Sequence, residues 1–440
     1  MRTSFVLFLA GTLAAAFAMP ALVRAAGQAG TADGDALKPV YVLTSTAQAR
    51  LLPAPPKTLA LRTDKVGRRL ALIELKQHQV DELSAAIHDR EDRCGGFFAF
   101  ETRAEAERFL QVDQTAAVMA GKFSPLNDPL RIDNGDVVAP ALAQVDAQHI
   151  ANMIWMLSTS YPNRYFASVN GTNSALAIRD YWMGLAGGRS DVSSEMIGCA
   201  TCGVQSSVVL TIRGTVWPDE IVVLGAHLDS ISNVAYPDGE RNAPGADDDA
   251  SGIAVLSDVL RIAMENGWRP KRTVKFMGYA AEEVGLRGSR AIAQAHATEG
   301  RKVVGVLQLD MTNYKTGPID MRLVTDFSSP VMQQYLVNLF DTYLAPLGHT
   351  RGTITCGYAC SDHASWTQYG FPSAFMFEPG AGTTSLSDDF PYIHTPNDTL
   401  ANMGYSTTPS LAFSRLGLAF MGELGDVRVP VAVTPPPMGK

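Results

Sequence analysis

The chain has 440 residues, a net charge of −8 and a hydrophobic content of 46%. That length suffices for one large globular domain with a smaller one beside it. The evenly spread, mildly acidic charge excludes a polybasic surface for nucleic acid or anionic membranes. The first elements are not expected to belong to the mature fold. Arg2 precedes the apolar run FVLFLAGTLAAAFA, with small residues at Ala16 and Ala18. The run is short for a membrane span and is interrupted by Pro20 and Arg24, so residues 1–26 read as a secretory signal peptide. Export to the extracellular space or periplasm, with no membrane attachment after cleavage, follows from that.

Residues 35–123 read as a small α+β module. Strands are expected at 41–45, 70–75 and 97–100, with helices at 77–89 and 104–111. No cluster of reactive side chains occurs there, and its place between a signal peptide and a larger unit makes it propeptide-like. Residues 124–140 are rich in Pro, Asn, Asp and Gly and read as a linker.

From residue 141 to 428 helices alternate with strands. Helices are expected at 145–162, 174–186, 287–300, 331–347 and 411–424. Strands are expected at 207–214, 221–229, 273–280, 303–311, 321–327 and 373–378. Several of these strands are unbroken apolar runs, as in strands buried on both faces. The fold class is therefore α/β, a mostly parallel mixed sheet flanked by helices, preceded by the small α+β module. Residues 429–440 read as a disordered tail.

Five cysteines are present. Cys356 and Cys360 are close enough for a small local disulfide, and export permits one. Cys199 and Cys202 form a lone CxxC that lacks a second pair for a zinc knuckle and reads as another local disulfide. Cys94 is left over.

The stretch APGADDDASG, Ala243 to Gly252, stands apart. Ile253, Leu256, Leu260 and Ala263 then fall on one helix face, so three aspartates sit on a turn at a helix start. One aspartate would suffice as an N-cap. Three adjacent carboxylates repel one another, and a turn that gathers them calls for a cation.

Open α/β sheets bind ligands beyond the carboxyl ends of their strands. His227 and Asp229 end one expected strand, Asp247, Asp248 and Asp249 follow it, Glu282 and Glu283 follow the next, and Asp310 ends a third. His394 lies in the loop PYIHTPND. Zinc takes imidazole and carboxylate ligands. Two zinc ions about 3.5–4 Å apart need a bridging group, which a carboxylate supplies. Two histidines, three carboxylates and a hydroxide would balance two Zn²⁺.

The motifs HLDS, APGADDDASG, YAAEEVGLRGS, LQLDMTNY, CGYACSDHASW and IHTPNDTL together closely resemble the bacterial leucyl aminopeptidases, which are secreted cocatalytic dizinc exopeptidases. The resemblance spans about Val145 to Gly425. It implies two Zn²⁺, with Asp248 bridging, His227 and Asp310 completing one site, and Glu283 and His394 the other. It makes Glu282 the general base. Asp229 and Asp249 would support the ligands from behind, and the Asp248–Asp249 peptide would be cis. Met311, Tyr358, Phe377 and Ile393 would form an apolar pocket for the first side chain of a peptide, with the Cys356–Cys360 loop presenting Tyr358. His363 would bind no metal, and the chain carries extra residues between Glu378 and His394.

The implied activity is removal of leucine-like residues from peptide N-termini by a monomer. The leading module is expected to cover the active-site mouth until proteolysis in the linker. The rivals are a carboxypeptidase or N-acyl amino acid deacylase on the same scaffold, a one-zinc glutaminyl cyclase, and a non-catalytic binding ectodomain. The first needs a cation for the substrate carboxylate, and Arg287 is near the motifs.

Overall fold

The computed structural model describes residues 39–63, 67–91, 96–111, 130–232, 242–379 and 390–429. The expected signal peptide, Cys94, most of the expected tail and the extra segment before His394 lie wholly or largely outside these residues.

The leading module is a four-stranded antiparallel sheet of β1 (Pro39–Ser45), β2 (Lys57–Thr63), β3 (Arg69–Lys76) and β4 (Phe98–Phe100), in the order β2-β3-β1-β4. Helices Gln77–Glu91 and Arg103–Gln111 accompany it. Strand β2, KTLALRT, was not expected from sequence.

The main domain is built on eight strands: β5 (Val192–Ile197), β6 (Ser207–Ile212), β7 (Trp217–His227), β9 (Arg272–Tyr279), β10 (Lys302–Leu309), β11 (Met321–Val324), β12 (Arg351–Ile354) and β13 (Ser373–Phe377). A short ladder of β8 (Arg269–Pro270) and β14 (Val427–Arg428) sits apart. The sheet order is β12-β11-β13-β10-β7-β9-β6-β5. The centre, β13-β10-β7-β9, is parallel, β12 runs parallel to β11, and the remaining pairs are antiparallel. This is the mostly parallel mixed sheet expected.

Alternation along β7 explains the layers. Val222, Leu224 and Ala226 join the core beneath helices Ala147–Ser160, Ala250–Glu265 and Ser410–Leu424. Ile221 and Val223 face the opposite way, towards Ile292 and Ala293 of helix Arg287–Thr298 and Trp366 of helix His363–Gln368. Both faces of β7 are therefore covered, and its apolar run is continuous for that reason.

The linker boundary needs correction. Residues 135–142 form a helix whose Val138, Ala141 and Leu142 enter the main core. The preceding Asn134 is buried, with its Nδ2 donating to the carbonyls of Gly422 and Val427 at 2.9 Å each. The main domain therefore begins by Leu130 rather than at 141. Of the residues that suggest a linker, Gly135, Asp136 and Pro140 occupy a short helix tied down by tertiary contacts.

The module docks directly on the segment that carries Glu282 and Glu283. Val80, Leu83, Ile87, Phe97 and Ala99 share one buried cluster with Ala280, Ala281 and Val284. The Ala99 N–H donates to the Gly285 carbonyl at 3.2 Å. Gly285 has φ +109°, and a Cβ there would lie 2.7 Å from that of Ala99, so the close approach requires glycine. An Arg290–Glu105 ion pair closes the interface. Arg68 donates to the Gly357 carbonyl at 3.5 Å, which brings the module to the Cys356–Cys360 loop as well.

Candidate metal centre

Strand β7 delivers His227 at its carboxyl end, and β10 delivers Asp310 just beyond its own. The aspartate turn lies between β7 and helix Ala250–Glu265. Each of its carboxylates has a different task. Asp249 is the helix N-cap, accepting from Gly252 N–H at 2.8 Å. Its oxygens also accept from His227 N–H at 3.0 Å and Met311 N–H at 3.3 Å, locking the ends of β7 and β10 together. Gly252 is required there, because a Cβ would lie 2.4 Å from the Leu309 carbonyl oxygen. Asp247 accepts from Asn313 N–H at 3.0 Å. Asp248 is left to point at the histidines, and the Asp248–Asp249 peptide is cis.

The five expected ligands converge in a buried cluster. His227 Nε2 lies 2.9 Å from Asp248 Oδ1 and 3.6 Å from Asp310 Oδ1. His394 Nε2 lies 3.1 Å from Asp248 Oδ2 and 2.8 Å from Glu283 Oε2. Asp248 thus addresses one imidazole with each oxygen. His227, Asp248 and Glu283 have ligand atoms within 4.8 Å of one another, as do His227, Asp249 and Asp310. Asp249 satisfies the distance, but its oxygens already accept three main-chain N–H groups.

The electrostatics fit a cation. Burial raises the pKa of Glu283 to about 7, helped by the Asp248 charge. Burial also pushes Glu282 well above the usual carboxylate range, with Asp362, Glu283 and Asp310 adding to the shift. For Asp248 burial acts upward, yet the two histidines outweigh it and hold its pKa low. For His227 burial acts downward, and the Asp310, Asp229 and Asp248 carboxylates overcome it and raise its pKa well above the ordinary value. Glu283 Oε1 is buried without a hydrogen-bond donor among the described residues, and Asp248 Oδ2 and Glu283 Oε2 share the single ring nitrogen of His394. Acceptors left in this state ask for a positive ion.

Supporting groups surround the cluster. The His227 Nδ1 faces the Asp229 main-chain oxygen at 3.1 Å and its carboxylate at 3.5 Å. That carboxylate also accepts from the N–H groups of Glu282, at 2.9 Å, and Glu283, at 3.1 Å. Ser361 donates to Asp310 Oδ2 at 2.5 Å. Sequence reasoning missed two groups. Asp398 accepts from the N–H groups of Asp247 and Asp248, at 2.8 and 3.1 Å. Its only signal was its position in IHTPND. Arg164 is fully buried and donates to the carbonyls of Leu228, Pro244 and Gly245, joining the end of β7 to the aspartate turn. Nothing in SYPNRYF marks it.

Among the apolar residues, Met311, Phe377 and Ile393 fall in one cluster with Phe390, Cys356 and Cys360. Tyr358 is buried on the same disulfide loop but outside that cluster. Cys356–Cys360 and Cys199–Cys202 are both bonded. His363 stays away from the ligands. It packs on Phe375 and faces the Asp326 carbonyl, and burial lowers its pKa to about 3.

Residues 207–416 match the model of Peptidase family M28. A probable leucine aminopeptidase of Trichophyton verrucosum is 34% identical over 337 residues, covering 76% of this chain and 86% of the relative. A probable aminopeptidase of Saccharomyces cerevisiae is 33% identical, covering 68% and 75%. The aminopeptidase LapA of Legionella pneumophila superposes with a TM-score of 0.74 at 27% identity, covering 89% of this chain and 99% of that one. LapB of the same organism gives 0.70 at 29% identity. A glutaminyl cyclase of Porphyromonas gingivalis shares the fold alone, with a TM-score of 0.51 at 16% identity. The similar sequences named here are fungal, and the superposed aminopeptidases are from Legionella pneumophila. Family model, relatives and buried cluster agree that the chain belongs to peptidase family M28.

Proposed function

We propose that the chain is a secreted aminopeptidase that works with two Zn²⁺ ions and removes apolar, leucine-like residues from peptides with a free α-amine. The convergence of four buried ligand-type side chains, His227, Glu283, Asp310 and His394, around the buried Asp248 carries this assignment. His227 and Asp310 would hold one ion, Glu283 and His394 the other, with Asp248 shared. When bound, such a pair lowers the pKa of water and polarises a carbonyl.

The protein's own groups do the rest. Glu282 takes a proton from the attacking water and returns it to the leaving amine. Asp229 grips the main chain of both Glu282 and Glu283, so base and ligand keep a fixed relation. Met311, Phe377 and Ile393, with Tyr358 near, would receive the first side chain.

A carboxypeptidase or deacylase would need a cation for the substrate carboxylate, and Arg287 is the arginine near the motifs. Arg287 is instead buried and directed elsewhere, donating to the carbonyls of Val284 and Thr201 and to Gln77 Oε1. Hydrolysis of leucine p-nitroanilide and of its N-acetylated form, before and after chelation, tests the assignment. Chelator-sensitive cleavage of only the free-amine substrate is expected. Cleavage of only the blocked substrate would move the protein to the rival class.

The two disulfides among the described residues and the apolar N-terminal run support secretion. Contacts of the leading module with the segments around Glu283 and Gly357 support a role in controlling access. Cutting the chain between Gln111 and Leu130 and separating the module is then expected to raise the turnover rate. An unchanged rate would make the module a permanent accessory domain.

A further inference from the structure

A polar cavity is lined in part by the segment Asn313–Gly317, which follows Met311. Its volume is about 520 Å³, and its walls include Asn313, Lys315, Asp320, His349, Thr408 and Arg415. The charges do not cancel. Lys315 Nζ is 2.5 Å from Asp320 Oδ1, so that pair is neutral. Asp320 is further satisfied by the Thr350 N–H at 2.7 Å. Burial lowers the pKa of His349, reinforced by Arg415 and opposed by Asp320, whose Oδ2 lies 3.6 Å from His349 Nδ1, and so favours the neutral imidazole.

Arg415 is the unbalanced charge. Its Nη1 donates to His349 Nε2 at 2.9 Å, and its Nε faces the Leu142 carbonyl at 3.4 Å. Among the described residues it makes no ion pair with a carboxylate. A guanidinium has five N–H donors, so three remain directed to the cavity or solvent. Partial burial lowers its pKa, with no carboxylate raising it. A half-desolvated arginine in a hollow lined by amides and hydroxyls is suited to a planar or tetrahedral oxyanion held by a forked pair of bonds.

We propose that this cavity binds a small oxyanion, a carboxylate or a phosphate, on Arg415. The site is separate from the metal cluster but close to it through the backbone. Asn313 N–H reaches Asp247, and Tyr314 N–H reaches Glu378 at 2.9 Å. Met403 lines the cavity and also packs against the apolar cluster of Met311 and Phe377. An oxyanion on Arg415 therefore braces the segment that leads away from Asp310.

Calorimetric titration of the full-length, metal-loaded protein tests this, using inorganic phosphate, N-acetylglycine and N-acetylglycinamide as probes. The first two should bind and the neutral amide should not. The phosphate and carboxylate arms separate the two sources of the oxyanion. Arg415→Gln should weaken anion binding at least ~10-fold, the loss of one forked charge-assisted contact. Arg415→Lys, which keeps the charge without the fork, should fall between. Unchanged far-UV circular dichroism and metal content must accompany both variants. Binding that Arg415→Gln retains in full would place the anion elsewhere, on the metal ions for instance, and overturn the proposal. So would absence of anion binding by the unaltered protein, or equal binding of the amide.

Discussion

Replacing Glu282 by glutamine or alanine is expected to lower turnover by about 10²- to 10⁴-fold while bound metal and KM stay near their original values. Glutamine is nearly isosteric, and the main-chain N–H of residue 282 would still bond to Asp229, so the segment keeps its course. What is lost is the carboxylate that accepts and returns a proton. The neighbouring residue gives the control. Glu283 Oε2 is 2.8 Å from His394 Nε2, so Glu283→Gln should reduce metal content as well as turnover. Steady-state kinetics with elemental analysis on both variants separates the roles. A Glu282→Gln protein that loses metal would be missing a ligand, and one with full turnover would have its base elsewhere.

The positions of these residues, though not their separate roles, were legible in the sequence because they depend on strand ends; the roles come from the motif resemblance alone. Strands β7, β9 and β10 are buried on both faces, so apolar residues dominate both of their alternating sets and their ends are easy to find. His227, Glu282, Glu283 and Asp310 follow directly from those ends. Strands at the sheet margins were harder. In β5, VSSEMI, only the first residue is buried, and in β2, KTLALRT, none is. Such strands carry little apolar signal, because one face or both meet solvent or a partial cover. The helix Gly135–Leu142 was hidden by its Gly, Asp and Pro, since tertiary contacts at Asn134 and Val138 stabilise it rather than propensity.

Asp398 and Arg164 were illegible for another reason. Both act on main-chain groups of distant loops, Asp398 on the N–H groups of Asp247 and Asp248 and Arg164 on the carbonyls of Leu228, Pro244 and Gly245. No local pattern encodes a partner that the fold alone supplies. The apolar pocket shows the same limit. Met311 and Phe377 meet in one cluster, whereas the buried Tyr358 lies outside it, and spacing could not distinguish them.

Removing the metal should abolish turnover and also destabilise the fold, and the second effect is the more diagnostic. Without a cation the centre gathers Asp247, Asp249, Glu282, Glu283 and Asp398 in one buried volume, where burial pushes all five pKa values upward. Those groups lose either their charge or their favourable surroundings. By mass action each site filled at about 100 times its Kd stabilises the native state by about 2.7 kcal/mol. Two sites would then contribute about 5 kcal/mol, equivalent to a thermal midpoint shift on the order of 10 °C for a domain of this size. Scanning calorimetry with and without a chelator reads this directly. Asp248→Asn should reproduce most of it, because the amide keeps one oxygen to offer where both are needed, and the bound metal should fall below two per chain. A chelated protein that loses activity without any change in midpoint would locate the essential ion outside this buried cluster. An Asp248→Asn protein that keeps two ions would remove Asp248 as the shared ligand and return that role to Asp249, whose oxygens would then have to release the three main-chain N–H groups they now accept.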